Sequence, residues 1–178
     1  SPKGHIDDFM EFAEDADVMV NLASEEHSHL PLFMLGHSMG GFITCLYGLK
    51  YPNKLRGQIF SGAAVRRTPQ LEGIKGDICN FLSLILPKLK IKNPVSKDIC
   101  SVAKVVDDYE KDPLVLKEAT LKFYVEFLVK GTSWIGKNIS KYAYPCLILH
   151  GEKDKIVPRE ASIFLYNNIK SMDKEIKI

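Results

Sequence analysis

The sequence predicts an α/β domain: a mostly parallel sheet with flanking helices and a helical cap inserted between its strands. Three observations carry that expectation. Short, continuous apolar runs at Leu32 to Leu35, Leu55 to Phe60 and Cys146 to Leu149 alternate with helical segments, the pattern of strands covered on both faces. A Gly-x-Ser-x-Gly turn, Gly36-His37-Ser38-Met39-Gly40, joins the first run to a helix. Between about residues 66 and 130 the strand rhythm stops and helical patterns replace it.

Taken in order, residues 7–26 read as a helix. Phe9, Phe12, Ala13, Ala16, Val20 and Ala23 share one face, acidic residues fill the other, and Asp7 or Asp8 is the candidate cap. A strand over 31–36 leads into the glycine turn, and a helix from Phe42 to Tyr51 closes at Pro52-Asn53. Leu55 to Phe60 is the second strand, ended by Ser61-Gly62. Ile74 to Leu89 is strongly apolar and runs into Lys88, Lys90 and Lys92. A second cap helix is expected from Pro113 to Val129, with Asp112 as N-cap and proline at the first helical position. Cys146 to Leu149 is the third strand, 159–171 a helix, and Glu175 to Ile178 the opening of a fourth strand. The expected organisation is core over 1–65, cap over 66–130 and core again over 131–178.

Composition narrows the function classes. The 178 residues are 46% hydrophobic and 26% charged, with net charge +2, ordinary for a globular chain long enough to bury a core. Basic residues are scattered without the aromatic-interleaved stripe of a nucleic-acid surface, so nucleic acid is not an expected partner. No apolar run approaches bilayer-spanning length, and no charged-then-apolar leader opens the chain. Cys45, Cys79, Cys100 and Cys146 form no CxxC pair, which reads as reduced thiols in a cytoplasmic protein. His27 and His29 make an H-x-H in a polar stretch, read as solvated surface. No metal and no cofactor are expected, and no residue pattern speaks to oligomeric state.

The chemistry is expected at the glycine turn. A serine on a sharp strand-to-helix turn, flanked by glycines that admit close packing, is the nucleophile-elbow arrangement. It sets the Ser38 hydroxyl at a helix N-terminus, where free N–H groups favour developing negative charge. The backbone N–H of Met39, next after the serine, is the expected oxyanion donor. The turn His150-Gly151-Glu152-Lys153-Asp154, directly after the third strand, supplies a carboxylate to orient a base; Asp154 is the preferred acid and Glu152 the alternative. The triad order for such an elbow is Ser, acid, His, yet none of His5, His27, His29, His37 and His150 follows Asp154. His37 and His150 are expected to brace the two turns. The general base and the second oxyanion donor are therefore expected outside these residues, which makes the chain an internal fragment of a longer hydrolase.

On these residues the chain resembles the monoacylglycerol lipase and lysophospholipase branch of the α/β-hydrolases, of serine aminopeptidase S33 type. The similarity runs through Gly36-His37-Ser38-Met39-Gly40-Gly41, Leu86-Pro87, Asp108-Tyr109-Glu110-Lys111-Asp112-Pro113-Leu114 and Leu149-His150-Gly151-Glu152-Lys153-Asp154. It implies the α/β-hydrolase fold with N-terminal strands and the C-terminal histidine loop missing, Ser38 as nucleophile, Asp154 as acid, and Tyr109 near the alcohol end of the substrate. The expected activity is hydrolysis of single-chain lipid esters through an acyl-enzyme. Phe81, Leu82, Ile85 and Leu86 would cover the acyl chain, against the plainer alternative of helix core. The cap is also the candidate surface for peripheral membrane contact. Three alternatives stay open: a short-chain or aromatic-acid esterase, an aminopeptidase using Asp107, Asp108 and Glu110, and a non-catalytic binding module.

Overall fold

Four short strands pair in parallel, the two inner ones being the most buried. β1 (Phe33–His37), β2 (Gly57–Ser61), β5 (Cys146–Leu149) and β6 (Lys174–Lys177) form one sheet in the order β1-β2-β5-β6. Its register sets His37 opposite Ser61, and Ser61 opposite Leu149. All four strands thus end at one edge of the sheet. The computed structural model describes residues 2–67, 71–93 and 98–178; residues 68–70 and 94–97 of the expected cap lie outside the described residues.

Helix α1 (Glu11–Glu26) packs the face expected of it: Ala13 is fully buried, and Phe9 and Phe12 join the core. Its start differs from expectation. The helix begins at Glu11 without a side-chain cap; Asp8 instead closes a turn ahead of it, its Oδ1 accepting the Met10 N–H at 2.8 Å. Helix α2 (Met39–Lys50) begins three residues earlier than Phe42. It is buried on nearly every side, with Phe42, Cys45, Leu46 and Tyr47 wholly enclosed, as a helix without a polar face must be. Around it close Phe60, Ile135, Tyr142, Ile148 and Leu165.

The inserted segment departs further from expectation. Helix α3 (Ile74–Ile85) stops short of Leu89, and the chain continues into a short strand, β3 (Lys90–Lys92). β3 pairs antiparallel with β4 (Glu118–Thr120). Helix α4 (Ala103–Lys111) ends where the second cap helix was expected to start. Asp112 is its C-cap, extended at φ −66° and ψ 120°, because a residue before proline is pushed out of the helical region. The Asp112 carboxylate accepts the Leu114 N–H at 2.8 Å and closes a local turn rather than a helix. The helix resumes only at α5 (Leu121–Val125), capped by Thr120 Oγ1, which accepts the Phe123 N–H at 3.1 Å. It passes through a π-helical stretch, Glu126–Gly131, into α6 (Thr132–Asn138).

A polar seam joins this helix to the N-terminal segment. The Thr120 N–H donates to the Gly4 carbonyl at 2.8 Å, and the Phe9 N–H donates to Glu126 Oε2 at 3.2 Å. Glu126 is 2% exposed and also holds Lys130 at 2.7 Å and Lys122 at 3.0 Å, so the buried carboxylate is paired on both sides. After β5, α7 (Glu160–Asn168) returns the chain to β6.

Candidate active site

Ser38 joins β1 to α2 at φ 52° and ψ −116°. A serine rarely adopts positive φ, and holding it there costs on the order of 1–3 kcal/mol. The neighbouring strand supplies the restraint. The Ser38 N–H donates to the Ser61 carbonyl at 3.0 Å, and its own carbonyl accepts the Ala64 N–H at 3.1 Å. Gly36 is the close approach that lets α2 fold back over the strand: a Cβ there would overlap the Gly40 carbonyl and the Thr44 hydroxyl. The Ser38 side chain is partly exposed rather than enclosed. Met39 is the first residue of α2, so its N–H belongs to the first turn, which has no intrahelical acceptor.

Asp154 stands past the end of β5, two strands from the elbow along the same edge. Its Oδ1 accepts the N–H groups of Ile156 and Val157 at 2.9 and 3.0 Å. Its Oδ2 points the other way, toward Gly62 at the end of β2. A Cβ on Gly62, which sits at φ +52°, would lie 3.2 Å from Asp154 Oδ2 and 3.6 Å from His37 Cε1. Asp154 Oδ2 and His37, the residue before Ser38, therefore lie on either side of a position where a side chain would intrude. Glu152, the alternative acid, is exposed in the same turn.

The two turn histidines do different work. His37 is exposed, with Nδ1 3.1 Å from Ser61 Oγ, so it links the ends of β1 and β2. His150 is enclosed, its ring between Ser162 Oγ at 2.7 Å and the Val157 carbonyl at 2.9 Å. Neither touches the serine hydroxyl. His27 and His29 lie exposed in the turn after α1.

The residues expected to form the cap differ in their placement. Phe81, Leu82, Ile85 and Leu86 are 62%, 41%, 59% and 50% exposed, so the helix-core alternative does not hold for them. Gly76 and Ser83 face inward instead, leaving the large side chains of α3 outward. Tyr109 is placed elsewhere. It lines a cavity of about 300 Å³ within the inserted segment with Lys92, Asn93, Glu110, Val115 and Lys117, and its hydroxyl is 3.3 Å from Asn93 Nδ2. No residue of the elbow or the acid turn lines that cavity. Asp107 and Asp108 are ion-paired on the surface of α4 to Lys111 and Lys104, each at 2.7 Å.

Sequence reasoning missed Gly62 and the His150–Ser162 pair. A glycine directly after a strand whose register matches the elbow strand was the available signal for the first. Ser162, on the helix after the acid turn, carried none.

A strained serine between a parallel strand and a helix, with a carboxylate past a nearby strand of the same sheet, defines an α/β-hydrolase. The chain belongs to the serine aminopeptidase S33 family, whose model matches residues 1–178. It is similar to a monoacylglycerol lipase of Mycolicibacterium smegmatis, 28% identical over 174 residues, covering 98% of this chain and 62% of that protein. It is similar also to the monoglyceride lipase of Homo sapiens, 29% identical over 175 residues, covering 97% of this chain and 57% of that one. Among solved structures, Paleococcus ferrophilus monoacylglycerol lipase matches with a TM-score of 0.84 at 26% identity, over 99% of this chain and 66% of that chain. The chain thus spans 62% and 57% of the length of these two relatives.

Proposed function

We propose that the intact protein is a serine carboxylester hydrolase acting on single-chain lipid esters, monoacylglycerols foremost. The observation that carries this reading is Ser38 at positive φ at the head of α2, on the same sheet edge as the Asp154 carboxylate. The names of the relatives favour the lipid ester. In the proposed mechanism a histidine takes the Ser38 proton as the hydroxyl attacks the ester carbonyl. The Met39 N–H stabilises the oxyanion, the alcohol leaves with the proton, and water then releases the fatty acid. The natural source of that histidine is chain following β6. β6 is hydrogen-bonded to β5, and the His150 N–H donates to the Lys177 carbonyl at 2.9 Å, so chain leaving β6 emerges beside the acid turn.

In this reading residues 66–130 are the cap, and the outward side chains of α3 meet the acyl chain or a lipid surface. Each methylene withdrawn from water contributes about 0.8 kcal/mol, enough for such a cap to select long chains. Tyr109 near the alcohol end is retained as part of the proposal, though its cavity is lined by cap residues alone. The three acidic groups offered for a peptidase do not converge: Asp107 and Asp108 are ion-paired to lysines on the surface of α4, and Glu110 alone of the three lines the Tyr109 cavity. We place the protein in the cytoplasm on the strength of four free cysteines. Among the described residues no helix is long and apolar enough to cross a membrane. The test compares kcat/KM of the full-length protein on a long-chain monoacylglycerol and a short soluble ester. A clear preference for the monoacylglycerol supports the lipid assignment, and equal efficiency overturns it.

A further inference from the structure

We infer that His150 is a positioning residue for the Asp154 carboxylate, acting through one specific ring proton. The inference rests on the reading of Asp154 as the triad acid. The His150 side chain is 0% exposed and sits directly after β5, at the start of the turn that carries the acid. Its Nε2 lies 2.9 Å from the Val157 carbonyl. A carbonyl only accepts, so Nε2 carries a proton and donates it. Its Nδ1 lies 2.7 Å from the hydroxyl of Ser162, itself fully buried on α7, which holds the ring plane.

The consequence falls on Asp154. His150 and Val157 open and close the same turn, and the Nε2–Val157 bond fastens its two ends together. Val157 is also one of the two residues whose N–H groups engage Asp154 Oδ1. Fixing Val157 therefore fixes the rotation of the carboxylate and leaves Oδ2 directed toward Gly62 and the elbow. Nε2 is 3.6 Å from Oδ2, beyond hydrogen-bonding distance, so the ring aims the acid without occupying its working oxygen. A histidine buried only for packing would depend on its volume and on both hydrogen bonds equally. One that positions the acid depends on the Nε2 bond above all.

Two substitutions separate these cases. The amide nitrogen of glutamine reaches roughly where Nε2 does, and that of asparagine roughly where Nδ1 does. His150→Gln keeps the donor to Val157 and gives up Ser162; His150→Asn does the reverse. In the full-length protein, with one ester substrate, we expect H150Q to retain kcat within about threefold. We expect H150N to lose about tenfold or more in kcat with KM unchanged, since a small displacement of a catalytic group costs that much. Both should lower the melting temperature by similar amounts. Equal kcat for the two variants, or kcat that simply follows melting temperature, overturns the inference while leaving the triad reading intact. Asp154→Asn at wild-type activity overturns both. If H150N fails to fold, Ser162→Ala decides. It keeps the Nε2 bond to Val157 and removes only the brace, so kcat within about threefold of wild type at a lowered melting temperature is expected, while a roughly tenfold or larger fall in kcat overturns the inference.

Discussion

The Ser38 N–H donates to the Ser61 carbonyl at 3.0 Å, which makes Ser38 the last rung of the β1–β2 ladder as well as the first step into α2. The bond explains why a serine holds φ 52°: leaving that conformation would break a sheet hydrogen bond and the Ala64 N–H bond to its carbonyl. Strain of this kind persists only where the surrounding structure over-determines it.

The elbow's dependence on close packing gives a stability prediction. Gly36→Ala drives a methyl into the Gly40 carbonyl and the Thr44 side chain, both fixed by α2. We expect a loss of about 1–3 kcal/mol or more, read as a lower denaturant midpoint. A midpoint within experimental error of wild type would show that the turn relaxes freely.

Glu126 gives a second. Removing a buried carboxylate that holds two lysines and a backbone N–H leaves charges without their partner. Glu126→Ala should cost about 3–5 kcal/mol, with hydrogen-exchange protection lost at the start of α1, where Phe9 is released. Unchanged exchange there would mean that the contact of the Phe9 ring with Trp134, 6.2 Å between centroids, holds the segment without the carboxylate.

Four thiols should divide into two classes. Burial pushes the Cys45 thiol well above its ordinary range and raises Cys146 to about 11, whereas Cys79 and Cys100 are partly exposed. The thiolate is the reactive form, so brief maleimide treatment of the native protein should label Cys79 and Cys100 and spare the other pair. Equal labelling of all four would contradict the enclosed core.

Residues 1–178 on their own present an apolar strand edge. Phe33 and Leu35 of β1 are 60% and 66% exposed, and β1 is the end strand of the sheet. Beside it runs a groove of about 510 Å³ floored by Met19, Leu32, Met34 and Ile43. Such an edge invites pairing with another chain. Residues 1–178 should self-associate at micromolar concentration in light scattering and lack esterase turnover. A monodisperse monomer with a sharp melt would contradict this.

The parts of the molecule legible in the sequence were those where one residue type has one physical use. Gly36, Ser38 and Gly40 announced the elbow, the apolar runs placed β1, β2 and β5, and Glu175 to Ile178 placed β6, each to within one or two residues. The inserted segment was less legible. Asp112-Pro113 carries a helix-start signal, but the same pair suits a turn, and the backbone before Pro113 took that course. Three-residue strands such as Lys90–Lys92 are too short to show alternation, and a π-helical stretch leaves no mark on periodicity. Of the candidate site, the placement of Ser38 at a strand-to-helix junction and of Asp154 past the end of β5 was readable from motif and position. The exposed face of α3 and the burial of His150 and Ser162 depend on tertiary packing, which local pattern does not encode.

The most direct measurement is labelling of the full-length protein with a fluorophosphonate, which reacts with an activated serine hydroxyl. Wild type should label at a single site that mass spectrometry assigns to Ser38, Ser38→Ala should abolish labelling, and Asp154→Asn should slow it severely. Labelling that persists in S38A, or a folded wild-type protein that never labels, would contradict the assignment of Ser38 as nucleophile.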